Sequence, residues 1–432
     1  MKLAIHGGTP VRSTPFPAYV TVGSEEREAV TRVIDSGVLS RYLGCWHEQF
    51  MGGPEVKALE AEWAAHFGVK HAIAVNSCTS GLYCAVGAVG VAPGDECIVT
   101  PWTMCATATA PLIWGGIPVF ADVEGDCFCL DADDVAAKVT AKTRAILAVD
   151  LFGQPYDADR INAIARKHGI PVIEDCAQAP GGALHGRPTG LLGDIGVFSL
   201  NYHKHIHCGE GGIVVTNNDE YADRVRLIRN HAEAVVEGMG VEEISNLVGF
   251  NFRMTELDAA VARCQLQKLE ELNRKRLANV AWLEARLSQF PFLTMPKVRA
   301  GGRHVYYVHA CLFDEEQAGF SAAVFANAVR AELPPFALRE KEGSKLGSGY
   351  ARPLYRLPMF QKRIAYGRSH YPFSLAPERR YDEALCPVCE RLHRGGVLTH
   401  EFILPSMTPA DMASVVDAFT KVWDGRAELK GQ

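Results

Sequence analysis

The chain has 432 residues, 48% of them hydrophobic and 22% charged, which is the composition of an ordinary globular protein with room for two domains and a large core. Lys and Arg total 44 against 50 Asp and Glu, a net charge of −6 with no basic run interleaved with aromatics, so nucleic acid and anionic membrane are not expected partners. Apolar stretches are interrupted by Gly, Pro or charge well before 18 residues, so no membrane span is expected.

The opening MKLAIHGGTPVRS lacks the apolar run of a signal peptide. The thirteen cysteines, an odd number, are therefore expected as reduced thiols in a cytoplasmic protein. Residues 1–55 read as an arm rich in Gly and Pro, with one helix near Glu25 to Ser36 and an aperiodic loop, Leu39 to Gly53, that carries Arg41, Trp46 and His47. From Glu55 the pattern becomes regular. Helical spacing runs from Glu55 to Phe67, and a short strand follows at His71 to Val75. Asn76-Ser77-Cys78-Thr79-Ser80-Gly81-Leu82 then opens a helix reaching about Val89. Small hydroxyl residues there cap free N–H groups, and the same groups can cradle a phosphate.

Apolar runs and helical stretches alternate after that. Strands are expected at Cys97–Thr100, Pro118–Asp122, Ala145–Asp150, Pro171–Asp175, Gly196–Leu200 and Ile213–Thr216, with a helix at Asp157–His168. Near-continuous apolar strands between helices predict a mostly parallel sheet covered on both faces, with its sites beyond the carboxyl ends of the strands. Thr255 with Asp258 reads as the start of a long helix, Glu256 to about Phe290, that carries the chain into a smaller α+β domain. In that domain Val305–Val308 reads as a strand and Pro409–Val422 as a helix; residues 337–380 are loop-rich, and Gly425–Gln432 is expected to fray. The expected division is an arm at 1–55, a large α/β domain at 56–275 and a small domain at 276–432.

Two positions stand out chemically. Lys204 sits in FSLNYHKHIHCGEGG, Phe198 to Gly212, between two buried strands, where a solvated surface charge is hard to place; a lysine fixed there suits covalent capture of a carbonyl. Asp175 ends another buried strand. An amine and a carboxylate so placed are what a pyridoxal phosphate site requires, the lysine for the aldehyde and the acid for the pyridine nitrogen. Cys127 with Cys129, Cys386 with Cys389, and the alternating His203, His205 and His207 are the candidate metal ligands. A lone C-x-x-C without a second pair does not make a zinc site, so no metal is expected.

The ordered set resembles the DegT/DnrJ/EryC1/StrS aminotransferases, sugar and cyclitol enzymes of fold type I. It is carried by VIEDCAQAPGG (Val172 to Gly182), FSLNYHKHIHCGEGG and GFNFRMTELDAA (Gly249 to Ala260), and it runs from Gly7 to Pro387. The resemblance implies the aspartate-aminotransferase-like fold, pyridoxal 5'-phosphate as cofactor, a glutamate or glutamine donor, a keto-sugar or keto-cyclitol acceptor, and a homodimer with composite sites. It implies Lys204 as the covalent and proton-shuttling residue, Asp175 on the pyridinium nitrogen, Gln178 on the phenolic oxygen, and Ser199 with Thr79 and the 77–79 turn on the phosphate. Asn251 would reach the partner subunit's phosphate.

Three positions depart from the family pattern. Cys78 stands where Gly is common, Met104 stands where an aromatic usually stacks on the ring (with Trp102 as an alternative), and Val38-Leu39-Ser40-Arg41 with a longer insertion replaces the usual substrate stretch. CPVCERLHRGGVLTHEF (Cys386 to Phe402) is similar to cyclitol aminotransferases, and Arg41, Arg352 and Arg356 are candidates for a substrate phosphate. The rival expectations are a sugar dehydratase, whose relatives carry His at the lysine position, and a non-catalytic regulatory relative.

Overall fold

The computed structural model describes residues 2–382 and 384–429. Its centre is a seven-stranded sheet built from β1 (His71–Val75), β2 (Glu96–Val99), β3 (Ile117–Phe120), β4 (Thr143–Val149), β5 (Val172–Asp175), β6 (Ile195–Ser199) and β7 (Gly212–Thr216), in the order β1-β7-β6-β5-β4-β2-β3. Five strands, from β6 to β3, are mutually parallel, and β7 runs antiparallel between β6 and β1. Every residue of β2, β3, β5, β6 and β7 is buried, which is why these segments read as unbroken apolar runs.

Side-chain alternation assigns the two faces. Ile73, Val75, Val197 and Val214 join one cluster with Leu82 and Val86 of α3 (Cys78–Ala88). Ala72, Ala74, Phe198, Ile213 and Val215 join another with Val56, Leu59 and Trp63 of α2 (Pro54–Phe67; α1 is Ser24–Ser36). Phe198 meets the rings of Trp63 and Phe67 at 5.2 and 5.0 Å. The chain crosses between strands through helices that include α4 (Ala106–Ile113), α5 (Ala132–Lys138), α6 (Ala158–His168) and α7 (Asp219–Arg229). The strand boundaries fall within two residues of those expected.

The long helix α8 spans Glu256–Leu287 and ends three residues short of Phe290. Thr255 caps it, its hydroxyl accepting from the Asp258 N–H at 3.2 Å. At about 1.5 Å per residue it bridges two cores. Leu266 and Leu269 pack against the central sheet, whereas Val280, Leu283 and Leu287 pack in the C-terminal core. That core surrounds an antiparallel sheet ordered β8 (Leu293–Thr294), β9 (His309–Phe313), β11 (Val397–His400), β10 (Leu346–Ser348), with α9 (Ala322–Glu332) and α10 (Pro409–Asp424) against it. Leu3 and Phe16 of the arm are fully buried in the same core. Among the described residues, no helix is long and apolar enough to cross a membrane.

Two expectations are corrected. Val305–Val308 is not a strand; pairing begins at His309. Its β-branched and aromatic residues instead lie on a turn of the large domain: the Val305 N–H donates to the Gly153 carbonyl at 3.0 Å and the Tyr307 N–H to that of Phe152 at 2.7 Å. Tyr306, at φ +49°, breaks the extended path between them. The tail does not fray through 425–429. Arg426–Leu429 forms a short helical turn, Leu429 is buried, and Glu428 accepts from the Leu3 N–H at 3.5 Å; positions 430–432 lie outside the described residues.

Candidate active site

The site lies beyond the carboxyl edge of the parallel strands. β5 delivers Asp175, and the neighbouring β6 delivers Ser199. A loop from Leu200 to Gly211 then carries Lys204 before β7 returns beside Ser199, which pairs with Gly212. The three histidines of this loop have different surroundings. His205 is fully buried, with Nε2 3.0 Å from the Val305 carbonyl, and burial drives its imidazole well below the ordinary value. Its own carbonyl accepts from the Tyr19 hydroxyl at 2.5 Å. Together with buried Ile206 these contacts anchor the loop, while His203 is exposed and His207 half-buried. The Lys204 amine stands 4.3 Å above the centroid of the Tyr307 ring.

Asp175 is 5% exposed. Burial raises its pKa, opposed by the Thr107 hydroxyl, the Ala177 N–H and the charge of Lys204. The hydroxyl donates to Oδ2 at 2.7 Å, and the N–H to Oδ1 at 3.2 Å. The charge of Lys204 thus acts on the Asp175 carboxyl. Cys78 faces it as well: desolvation and the Asp175 charge raise its thiol well above the ordinary value, and Lys204 pulls the other way.

Gln178 is fixed at both ends. Its Oε1 accepts from the Phe152 N–H at 2.8 Å, and its Nε2 donates to the Tyr350 hydroxyl at 3.4 Å. Phe152 holds a left-handed backbone, φ +60°, so the turn that offers this N–H is strained. Behind it Phe152 meets the rings of Trp102 and Tyr350 edge-on at 5.8 and 4.8 Å.

The start of α3 forms the floor. Ser77 is its N-cap, accepting from the Ser80 N–H at 3.0 Å, and Ser80 in turn donates to Asn76 Oδ1 at 2.6 Å. The N–H groups of Cys78 and Thr79, in the first turn, have no helix carbonyl beneath them. They lie against the end of β7: a Cβ on Gly212 would stand 2.7 Å from the Cys78 nitrogen, so only glycine admits this approach.

The remaining candidates separate. Asn251 is exposed, its carbonyl accepting from Asn76 Nδ2 at 3.4 Å. Met104 is 59% exposed two residues before α4, and its carbonyl lies 3.5 Å from the Thr107 hydroxyl. Trp102 cannot offer a free ring face: it is fully buried and its indole N–H donates to the Ala351 carbonyl at 2.8 Å. Arg356 pairs with Glu390, which also accepts from the Tyr355 hydroxyl at 2.6 Å, whereas Arg352 and Arg41 are exposed. Cys386 and Cys389 are buried, and the backbone N–H groups of Val388 and Cys389 donate to Asp122. Among the described residues, no cluster of three or more His, Cys, Asp or Glu is placed to hold a metal. Sequence reasoning missed Thr107, Phe152, Tyr307 and Tyr350. Each reaches the site from a distant segment and carries no local motif.

A nucleophilic amine, a buried acid, and a hydroxyl beside free helix N–H groups match the three ends of pyridoxal phosphate: aldehyde, ring nitrogen and phosphate. The donor set fits the group. Fold and site together define a pyridoxal-phosphate-dependent transferase of the aspartate aminotransferase architecture. More particularly, the chain belongs to the DegT/DnrJ/EryC1/StrS aminotransferase family, whose model matches residues 22–420. It is 32% identical to the L-glutamine:2-deoxy-scyllo-inosose aminotransferase of Streptoalloteichus tenebrarius, across 100% of this chain and 99% of that one. Identity is also 32% to the spore coat polysaccharide biosynthesis protein SpsC of Bacillus subtilis, across 81% and 86%. An aminotransferase structure from Psychrobacter cryohalolentis superposes with a TM-score of 0.80 at 28% identity, across 95% of this chain and 99% of that one.

Proposed function

We propose that the protein transfers an amino group from glutamine or glutamate to the ketone of a cyclitol or sugar, with the cyclitol favoured. The convergence of Lys204, Asp175 and Gln178 on one strand edge carries the transferase reading. End-to-end alignment with L-glutamine:2-deoxy-scyllo-inosose aminotransferases supports the cyclitol.

In this reading Lys204 Nζ would hold the cofactor's aldehyde carbon, Asp175 would pair with the ring nitrogen, and Gln178 would contact the phenolic oxygen. Ser199, Thr79 and the N–H groups of Cys78 and Thr79 would hold the phosphate, and Met104 would offer the ring a polarizable contact. Bound pyridoxal phosphate supplies an electron sink for the carbon that loses its proton. Lys204 Nζ would take that proton and return one to the acceptor carbon. Thr107 keeps the Asp175 carboxylate aimed at the ring. Asn251, exposed in one chain, reaches the phosphate of a second copy, so each site is completed by a dimer.

The test is the visible spectrum. The purified protein is expected to show a cofactor band that shifts when glutamine or glutamate is added, and to yield an aminated product from an inosose. Lys204→Ala is expected to abolish both. No band response in the wild type would overturn the reading, and loss of water in place of gain of an amine would assign a dehydratase.

A further inference from the structure

Two buried carboxyls stand behind the site and have no part in the roles above. Asp150 directly follows β4, and Glu174 precedes Asp175 on the adjacent parallel strand β5. Both are fully buried, and their carboxyl groups hydrogen-bond to each other. Glu174 already accepts three backbone N–H groups. Gly190 donates to Oε1 at 2.7 Å, and Leu192 and Gly193 donate to Oε2 at 2.8 and 3.1 Å. Three such donors suit an anion. Asp150 Oδ1 accepts from the Tyr156 N–H at 2.9 Å, while Oδ2 is buried and, among the described residues, no N–H or O–H donates to it.

Two ionised carboxylates are acceptors only, so a hydrogen bond between these two requires a proton held by the pair. That proton belongs on Asp150. Burial, and then the negative charges of Glu174 and Asp175, raise its pKa well above the ordinary aspartate range. Burial raises Glu174 as well, but the Asp150 hydrogen bond and the three N–H groups oppose it. The other titratable neighbours, Tyr156, Cys129 and Cys176, are all pushed up by burial and stay neutral.

The turn that Asp150 begins is the one on which the site rests. The Asp150 N–H donates to the Asp175 carbonyl at 3.1 Å. Two residues on, the Phe152 N–H holds Gln178 Oε1, and the Phe152 carbonyl holds the N–H of Tyr307, whose ring lies under the Lys204 amine. Phe152 is left-handed at φ +60°, and such a residue persists only where its surroundings are fixed. The Asp150 side chain supplies that fixing, with one oxygen on Tyr156 and the other on Glu174.

Resting on the aminotransferase reading and going beyond it, we infer that Asp150 and Glu174 are a positioning pair: one shared proton clamps the turn from Asp150 to Tyr156, and the turn aims Gln178 at the cofactor's phenolic oxygen. Asp150→Asn keeps the clamp without a proton to lose, because its Oδ1 accepts from Tyr156 and its Nδ2 donates to Glu174. Asp150→Ala removes it.

The first readout needs no cofactor. Folded wild type holds a proton that the unfolded chain releases above the ordinary aspartate range. In urea titrations of the apoprotein from pH 5 to 8, its unfolding constant is expected to rise more steeply than that of Asp150→Asn, by up to about tenfold per pH unit. The second readout is coupling in the holoenzyme. Asp150→Ala is expected to shift the cofactor band and lower kcat roughly tenfold, the worth of about one hydrogen bond, with Asp150→Asn restoring both. In a Gln178→Ala background the same Asp150→Ala change should cost less than about twofold. Equal pH slopes for wild type and Asp150→Asn overturn the inference, and this comparison decides even where Asp150→Ala does not fold. So does an Asn variant as impaired as the Ala variant, or an undiminished effect of Asp150→Ala without Gln178. The aminotransferase reading fails separately, on a wild-type band that glutamine does not shift.

Discussion

At the scale of single residues, the site stores an electrostatic cost. Asp175 sits in a buried pocket that raises its pKa, mainly through loss of water, against the help of Thr107, Ala177 and Lys204. A carboxyl raised in the folded state binds a proton there that the unfolded chain has already released. Stability from this group is therefore complete below the ordinary aspartate range and falls as pH rises from that range to the folded value. Asp175→Asn keeps the shape and removes the charge: its Oδ1 can still accept from Ala177, and the Thr107 hydroxyl can turn to accept from Nδ2. The cofactor-free variant is expected to melt about 2 °C or more above the cofactor-free wild type at pH 8, the gap should close toward pH 4, and the variant supplied with cofactor should have lost transaminase activity. Thermal melts of both apoproteins across that range measure it, and equal melting at pH 8 would refute the stored cost. Asp175 and Lys204 were legible in the sequence because their signals are local: an apolar run that ends in a charge, and a charge before Gly209-Glu210-Gly211-Gly212. Thr107 was not, since it lies 68 positions from its partner in a helix with no distinguishing pattern. Tyr350 lies 172 positions from Gln178. Contacts at such separations are products of the fold and leave no spacing to read.

At the scale of elements, the same contrast separates the two sheets. The strands of the large sheet are buried on both faces, so composition alone placed them. The small sheet is different: β9 follows directly on Val305–Tyr307, an apolar aromatic run that looks more like a strand than β9 does, and only the turn at Phe152 and Gly153 decides the matter. β9 also carries a buried polar chain. His309 Nδ1 lies 3.5 Å from the Cys311 sulfur, and Nε2 lies 3.1 Å from Glu284 of α8. Burial alone would push this imidazole down, but the Cys311 thiol and the Glu284 carboxylate overcome it and push the pKa up to about 9. His400 packs 4.6 Å away, ring to ring, and burial drives it the other way, to the neutral form. A raised imidazole gives stability that is fully present below its ordinary value near 6.5 and is lost as pH climbs to about 9. Unfolding free energies from urea titrations are expected to fall across that window, by up to about 1.4 kcal/mol per pH unit for one group. In Glu284→Gln the slope should be shallower; an unchanged slope would show that the α8–β9 contact does not hold the charge.

At the scale of the whole molecule, α8 and the arm tie the halves together. The buried carboxylate of Glu332 on α9 accepts from the N–H groups of Ala4 and Val11 at 2.8 and 3.0 Å and from Lys421 of α10 at 2.7 Å, so the first residues of the chain are fastened to its last long helix. Tyr19, further along the arm, reaches the lysine loop at His205. One chain thus brings Lys204, Asp175, Gln178 and the start of α3 to a common edge, while Asn251 stays exposed beside Asn76. If each site borrows Asn251 from a second copy, two defective variants can repair one another. Lys204→Ala and Asn251→Ala should each be nearly inactive alone. Unfolded together and refolded as a mixture, half of the dimers pair one copy of each. Every such dimer has one site with Lys204 from one subunit and Asn251 from the other, and one site lacking both. Recovery to roughly a quarter of wild-type activity is the expectation for a two-fold dimer with shared sites. A mixture no more active than the Asn251→Ala component alone would place that residue's role within its own subunit, and the dimeric site would be abandoned while the assignments of Lys204 and Asp175 stood.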